Sequence, residues 1–273
     1  MKKNAIIISI SSDIGTELAK KWCNDGWNIY GTYRTMSKQV DLLKEKYNIK
    51  LTHCDLTIRE SIQSACLELY NICPEWDVLI LATGRQEPVG NFDKTLFHEW
   101  EESVQVNLLA QLHIVHELLP YRNLSSNLVP MVLFFAGGGT NNAVLHYSSY
   151  TMSKIALIKM CELLDAEIPD TRFCIVGPGW VKTKIHQPTL DVGPKGAGNN
   201  YEKTKYKLSS DECTPMHDVI NFCDWVANSN CNAIGGRNFS VVFDEWGTKV
   251  LETALEKDLD LYKLRRHGND KRF

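Results

Sequence analysis

The sequence contains no run of the roughly 20 apolar residues that a membrane-spanning helix needs, and no long block of one charge sign. Its 30 basic and 33 acidic side chains leave a formal net charge of −3, so it lacks the basic excess of a general nucleic-acid binder. No Cys-x-x-Cys pair occurs. The nine cysteines, an odd set with several members inside apolar runs, read as reduced, buried thiols rather than a disulfide framework or a zinc site. His113 and His116 share a helical face without a third ligand, so no metal site is expected. Met1-Lys2-Lys3-Asn4 and the apolar run to Ile10 imitate a signal peptide, but the run is short, lacks a small-residue cleavage site and passes directly into Ser11-Ser12-Asp13. A cytoplasmic protein is expected. The 273 residues, 44% hydrophobic and 23% charged, suffice for a sizeable core.

Short apolar runs alternate with stretches of helical periodicity, the sign of βα units winding a parallel sheet. The runs predict strands at Ala5–Ile10, Asn28–Tyr33, Ile49–Cys54, Asp77–Ala82, Pro130–Phe135, Arg172–Val176 and Asn238–Phe243. Helices are predicted at Ile14–Asp25, Ser37–Lys46, Arg59–Ile72, Leu96–Leu119, Tyr150–Glu167 and Pro215–Ala227. That order predicts an α/β class, a doubly wound parallel sheet with three α/β/α layers, the Rossmann fold, in one domain over residues 1–246. Two regions break the rhythm. Pro178–Thr214, polar and interrupted by glycine and proline, is long for a plain connection and predicts a lid or binding loop. The tail, residues 247–273, carries apolar Val250, Leu251, Leu255, Leu259, Leu261, Tyr262 and Leu264 before a polar end, Arg265 to Arg272. It predicts an amphipathic helical appendage, packed on the sheet or on another subunit.

The first strand runs into Ser9-Ile10-Ser11-Ser12-Asp13-Ile14-Gly15 and then an amphipathic helix. Such a turn sets backbone N–H groups and a helix N-terminus against a pyrophosphate. Of the usual three glycines only Gly15 remains, so a plain strand–turn–helix fits equally. An inward-pointing Asp13 would repel a pyrophosphate, so it is expected to cap a helix beginning at Ile14. Where an acidic residue would accept from the adenosine ribose, the chain has Tyr33-Arg34-Thr35. Arg34, without a neighbouring carboxylate in sequence, favours a 2′-phosphate and hence NADP(H) over NAD(H); the alternative is a solvated surface arginine.

Tyr150-Thr151-Met152-Ser153-Lys154 opens a predicted helix. A spacing of four puts phenol and ammonium on one face, where the positive charge is expected to lower the tyrosine's pKa toward the range of an acid/base catalyst. With Gly15, Asp55-Leu56, Thr83-Gly84, Asn107 and Pro178-Gly179-Trp180-Val181-Lys182-Thr183 in this order, the chain resembles the short-chain dehydrogenase/reductase family over about residues 4 to 245. The resemblance implies an NAD(P)-dependent oxidoreductase in which Tyr150 exchanges a proton with the substrate oxygen. It further implies that Lys154 binds the nicotinamide ribose and supports Tyr150, and that Asn107 holds a water in a proton relay. Asp55 would bond the adenine and Thr183 the nicotinamide carboxamide or diphosphate. Ser9, Ser11, Ser12, Ile14, Gly15, Leu56, Thr83, Gly84, Pro178, Gly179 and Val181 would complete the cofactor site.

The family's serine, about 13 residues before the tyrosine, is absent; Gly137 stands there, within Ala136-Gly137-Gly138-Gly139-Thr140-Asn141-Asn142. Thr140 is the expected replacement, with Asn141 and the backbone N–H groups of the glycine run as other donors. Between Lys182 and Lys207, Lys182, Lys184, Lys195, Lys203, Lys205 and Lys207 stand against only Asp191 and Glu202, which favours an anionic substrate unless the loop is merely solvated. His146 is a further candidate for the site wall. Gly236 to Trp246, the glycine loop and Tyr262-Lys263-Leu264-Arg265-Arg266 resemble reductases of surface-polysaccharide sugar pathways, which points to a nucleotide-linked or acidic sugar. Two rival readings are a non-redox sugar epimerase or dehydratase with tightly held cofactor, and a silent dinucleotide sensor. The helices Leu96–Leu119 and Tyr150–Glu167 resemble those that pair across a two-fold axis in the family, so a homodimer or homotetramer is expected, with neither nucleic acid nor membrane as partner.

Overall fold

A computed structural model describes residues 2–268; of the tail's polar end, residues 269–272 lie outside them. Seven strands form one parallel sheet: β1 (Asn4–Ile8), β2 (Asn28–Tyr33), β3 (Lys50–His53), β4 (Val78–Leu81), β5 (Met131–Phe135), β6 (Arg172–Gly177) and β7 (Arg237–Ser240). Their order is β3-β2-β1-β4-β5-β6-β7. The helices are α1 (Asp13–Asn24), α2 (Lys38–Tyr47), α3 (Arg59–Ile72), α4 (Phe97–Val104), α5 (Ala110–Leu118), α6 (Ser148–Glu167), α7 (Gln187–Asp191), α8 (Gly193–Ala197), α9 (Asn199–Ser209), α10 (Met216–Asn228) and α11 (Lys249–Lys257). Ala5 and Ile7 of β1 join one apolar cluster with α1, α2, α10 and α11, whereas Ile6 and Ile8 join a second with α3, α5 and α6. Alternate side chains of a strand leave opposite faces. Because both faces are covered, the strands read as unbroken apolar runs, and the result is the doubly wound three-layer Rossmann fold.

β2 and α3 coincide with their predicted limits. β7 ends early because the Asp244 carboxylate accepts from Ser240 N at 2.7 Å while Ser240 Oγ accepts from Phe243 N at 3.2 Å, turning the chain. The continuous helix predicted at Leu96–Leu119 is interrupted by a π-helical turn, Gln105–Leu109. The expected loop between Pro178 and Thr214 holds α7, α8 and α9; docking, not an apolar periodicity, orders these short helices. In the tail, Leu251 and Leu255 of α11 are buried against the sheet cluster while Val250 and Leu259 are exposed. Arg237 fixes this packing. Its guanidinium donates to Leu255 O at 2.6 Å, Asp258 O at 3.2 Å and Leu261 O, at the helix end where positive charge is favoured. All nine cysteines are free. Burial pushes the Cys54, Cys66 and Cys73 thiols up to about 12. Among the described residues, no helix is long and apolar enough to cross a membrane.

Candidate active site

Strand order reverses between β1 and β4, the point at which a doubly wound sheet opens a crevice at its carboxyl ends. A cavity of about 850 Å³ lies there, within the range of small-ligand sites. The turn after β1 brings Ser12 and Ile14 to its wall, the chain after β4 brings Thr83 and Gly84, and the glycine loop brings Thr140. α6 adds Tyr150 and Lys154, and the chain after β6 adds Pro178, Gly179, Val181 and Thr183. Ser9, Ser11, Gly15, Arg34, Asp55, Leu56 and Asn107 stand behind or beside that wall rather than in it.

At the turn, Ser12 rather than Asp13 is the N-cap: its hydroxyl accepts from Gly15 N at 3.1 Å, and Asp13 is already the first residue of α1. The Asp13 carboxylate instead accepts from Lys184 N at 2.8 Å. Ser9 takes the backbone role of the missing first glycine with φ 57°, a left-handed conformation that costs a non-glycine residue roughly 1–2 kcal/mol. Three bonds hold it: Ser9 N to Thr32 Oγ1 at 3.0 Å, Ser9 Oγ with Thr83 Oγ1 at 2.9 Å, and Ser12 N to Ser9 O at 2.9 Å. Gly15 is irreplaceable on space alone, since an added Cβ would lie 2.8 Å from Ser12 Oγ and 2.9 Å from Ser9 O. The tight turn leaves the first N–H groups of α1, at Asp13 and Ile14, in the cavity wall without helical acceptors. That donor set at a helix N-terminus fits a dinucleotide diphosphate.

Arg34 is exposed just beyond β2. Although it has no carboxylate neighbour in sequence, it has one in space: its charge acts on Asp55. Burial works to raise the Asp55 carboxyl, but bonds from Thr57 N at 2.9 Å and Thr57 Oγ1 at 2.8 Å, with Arg34 and His53 nearby, hold it below its ordinary value.

Lys154 is 1% exposed and its Nζ donates to Thr83 O at 2.9 Å, 5.8 Å from the centre of the Tyr150 ring. The pairing predicted from helical spacing is present, but the electrostatics run the other way. Burial pushes the phenol up to about 12 and the amine down to about 7, because a desolvated site penalises both charged forms. Gly137 lies directly against the tyrosine, where an added Cβ would be 2.7 Å from Tyr150 Cε1 and 3.1 Å from its hydroxyl oxygen. The ring therefore fills the space that the family's serine would need.

Asn107 sits in the π-helical turn, fully buried. Its amide donates to Arg85 O at 2.8 Å and Ser103 O at 2.9 Å, and its Oδ1 accepts from Arg85 N at 2.9 Å, pinning the chain after β4. Its main-chain oxygen accepts from Gln111 Nε2 at 2.8 Å, so one lone pair is occupied. No periodicity marks Gln111 or the π-helical turn in advance.

Residues of the Pro178–Thr214 segment form part of the cavity wall. Tyr147 Oη and Thr189 Oγ1 lie 2.7 Å apart, Thr189 Oγ1 donates to Gln86 Oε1 at 3.3 Å, and Asn200 Nδ2 donates to Leu145 O at 3.0 Å. His186 stacks on Trp180 at 3.8 Å, and burial holds its imidazole below the usual pKa. His146 lies under Gly198, whose added Cβ would meet its Nε2 at 2.8 Å, rather than in the cavity wall. Tyr147, Gln86 and His186 are wall residues that the sequence did not single out.

The family model described as short chain dehydrogenase matches residues 3–191. A short-chain dehydrogenase/reductase from Penicillium canescens is 26% identical over 187 residues, 66% of this chain and 69% of its own. A mitochondrial dehydrogenase/reductase of the SDR family from Homo sapiens is 24% identical over 243 residues, 87% of this chain and 84% of its own. Among solved structures, a short chain dehydrogenase/reductase from Saccharomyces cerevisiae aligns with a TM-score of 0.78 at 19% identity, covering 88% of this chain and 96% of that one. A ligand-free aldohexose dehydrogenase from Thermoplasma acidophilum aligns at 0.72 and 17% identity, covering 88% and 92%; at such identities the likeness is one of fold alone. The family match spans well over half of the 273 residues and includes the phosphate turn, Tyr150 and Lys154, and on that ground the chain belongs to the short chain dehydrogenase family of NAD(P)-dependent oxidoreductases acting on CH–OH groups.

Proposed function

We propose that the protein reduces a ketone, or oxidises the matching alcohol, on an anionic sugar-like substrate, acidic or nucleotide-linked, with NADP(H) as cofactor and Tyr150 as general acid/base. The observation that carries this reading is that Tyr150 and Lys154, one helical turn apart, share a cavity wall with the N-terminus of α1, Thr83 and Thr183. Bound nicotinamide supplies or takes the hydride. Tyr150 gives its phenolic proton to the substrate oxygen in reduction and takes it back in oxidation. Lys154 binds the nicotinamide ribose and, once charged, favours the phenolate. Thr140 is the second donor to the substrate oxygen. Asn107 holds the relay water.

Arg34, with no acidic residue at the end of β2, supports NADP(H). Lys184, Lys203, Lys263 and Arg265 outnumber Asp13 and Asp244 around the cavity, which supports an anionic substrate. Residues 178–214 act as its lid on a catalytic domain of residues 1–246. Exposed Leu109, Met152 and Leu163, on the helices expected to pair, support a homodimer or homotetramer, placed in the cytoplasm. The test is NADPH absorbance decay against keto-sugars, each free and nucleotide-linked. Decay with an anionic member supports the reading. Silence across the panel despite NADPH binding refutes it in favour of a silent sensor, and conversion without net NADPH loss refutes it in favour of an epimerase or dehydratase.

A further inference from the structure

Two of the glycines expected at the phosphate turn are replaced, one by a carboxylate, and the structure shows what that carboxylate does. Asp13 Oδ2 accepts from the backbone N of Lys184 at 2.8 Å, and Lys184 Nζ donates to Ser11 O at 2.6 Å. Ile185 lies against Gly84, whose added Cβ would meet its Cδ1 at 2.9 Å. The first turn of the covering segment is thus clasped onto the turn that follows β1, and both Asp13 and Lys184 line the cavity. An ammonium bonded to a neutral carbonyl keeps its charge and two of its three N–H donors. It keeps them one residue from the N-cap of α1, where N–H groups already await an anion. Asp13 turns its carboxylate toward the segment's backbone N–H, which offsets part of the repulsion that an inward carboxylate would impose.

We propose that Lys184 is the cation that binds the dinucleotide's diphosphate, and that Asp13 is the positioning residue that presents it. The lysine substitutes for the close backbone approach that the missing glycines would have allowed. This inference rests on the reading of the cavity as a dinucleotide site. It assigns diphosphate recognition to two residues 171 positions apart in sequence, one in the turn and one in the cover.

The test is fluorescence titration of the full chain with NADPH and with NADH at low and moderate salt, comparing wild type with Lys184→Ala, Lys184→Arg, Asp13→Ala and the Asp13→Ala/Lys184→Ala pair. Lys184→Ala leaves the backbone N–H to Asp13 intact, so the cover stays in place. It is expected to raise Kd about tenfold for both nucleotides and to flatten the salt dependence, because screening acts on the lost charge pair. Lys184→Arg retains the charge and restores affinity to within about threefold. The effect of Lys184→Ala shrinks in the Asp13→Ala background, as coupled residues require; additive effects overturn the role of Asp13. Equal binding by wild type and Lys184→Ala overturns the inference alone, as does a loss confined to NADPH, which would place the lysine at the 2′-phosphate. A wild-type protein that binds neither nucleotide overturns the dinucleotide reading itself and this inference with it.

Discussion

Restoring the family's serine by Gly137→Ser is expected to impair the enzyme rather than improve it. The added Cβ would stand 2.7 Å from Tyr150 Cε1 and 3.1 Å from the ring's Cζ and hydroxyl oxygen. Ordinary contact begins near 3.4 Å, so the ring must retreat by about 0.7 Å before the serine hydroxyl is accommodated at all. A displacement on the order of 1 Å in a reacting group lowers turnover by up to about 100-fold, so kcat is expected to fall roughly 10- to 100-fold. The assay is steady-state NADPH oxidation with a carbonyl substrate, beside a fluorescence titration of NADPH. The nucleotide's Kd is expected to stay within about twofold, since the phosphate turn is untouched. Gly137→Ala separates the Cβ from the hydroxyl and is expected to show the same loss. A Gly137→Ser enzyme as active as wild type, or one that recovers what Gly137→Ala loses, refutes the argument that Tyr150 owns this space.

The buried amine of Lys154, lowered to about 7 in the free protein, is expected to take up a proton when anionic NADPH binds and raises its pKa. The sign follows: affinity is greatest below about pH 7 and falls toward the bound-state pKa, by up to tenfold per pH unit. Calorimetry in buffers of different ionisation enthalpy measures the uptake at pH 8; none would contradict the assignment. Arg237→Ala removes the donor that gathers the carbonyls of Leu255, Asp258 and Leu261. It is expected to cost about 2–4 kcal/mol of stability, read by urea denaturation, with protease cleavage of the loosened tail.

Some of this architecture was legible because burial on both faces leaves its mark on sequence. β2 and α3 fell on their predicted limits, where apolar runs end in polar residues or helical spacing is regular. Tyr150 and Lys154 were paired by the pitch of a helix. Their charge states were not, because spacing carries no information about desolvation, which drives both groups toward neutrality. The helices α7 to α9 left no periodic signal, since they are short, polar and held by contacts such as Tyr147–Thr189 rather than by an apolar stripe. Ser12 takes the capping role expected of Asp13 because both residue types cap well; the bond from Gly15 N to Ser12 Oγ and that from Lys184 N to Asp13 Oδ2 distinguish them, and neither is visible in sequence. The nearness of Gly137 to the tyrosine ring belongs to tertiary packing and no local pattern encodes it.

The most direct test of the central claim is Tyr150→Phe, measured for turnover and NADPH affinity in the same preparation. Removal of the phenolic proton from an otherwise intact ring is expected to lower turnover by about 100- to 10,000-fold while the NADPH Kd stays within about twofold. A variant that turns over at a rate near wild type would contradict the assignment of Tyr150 as the proton donor.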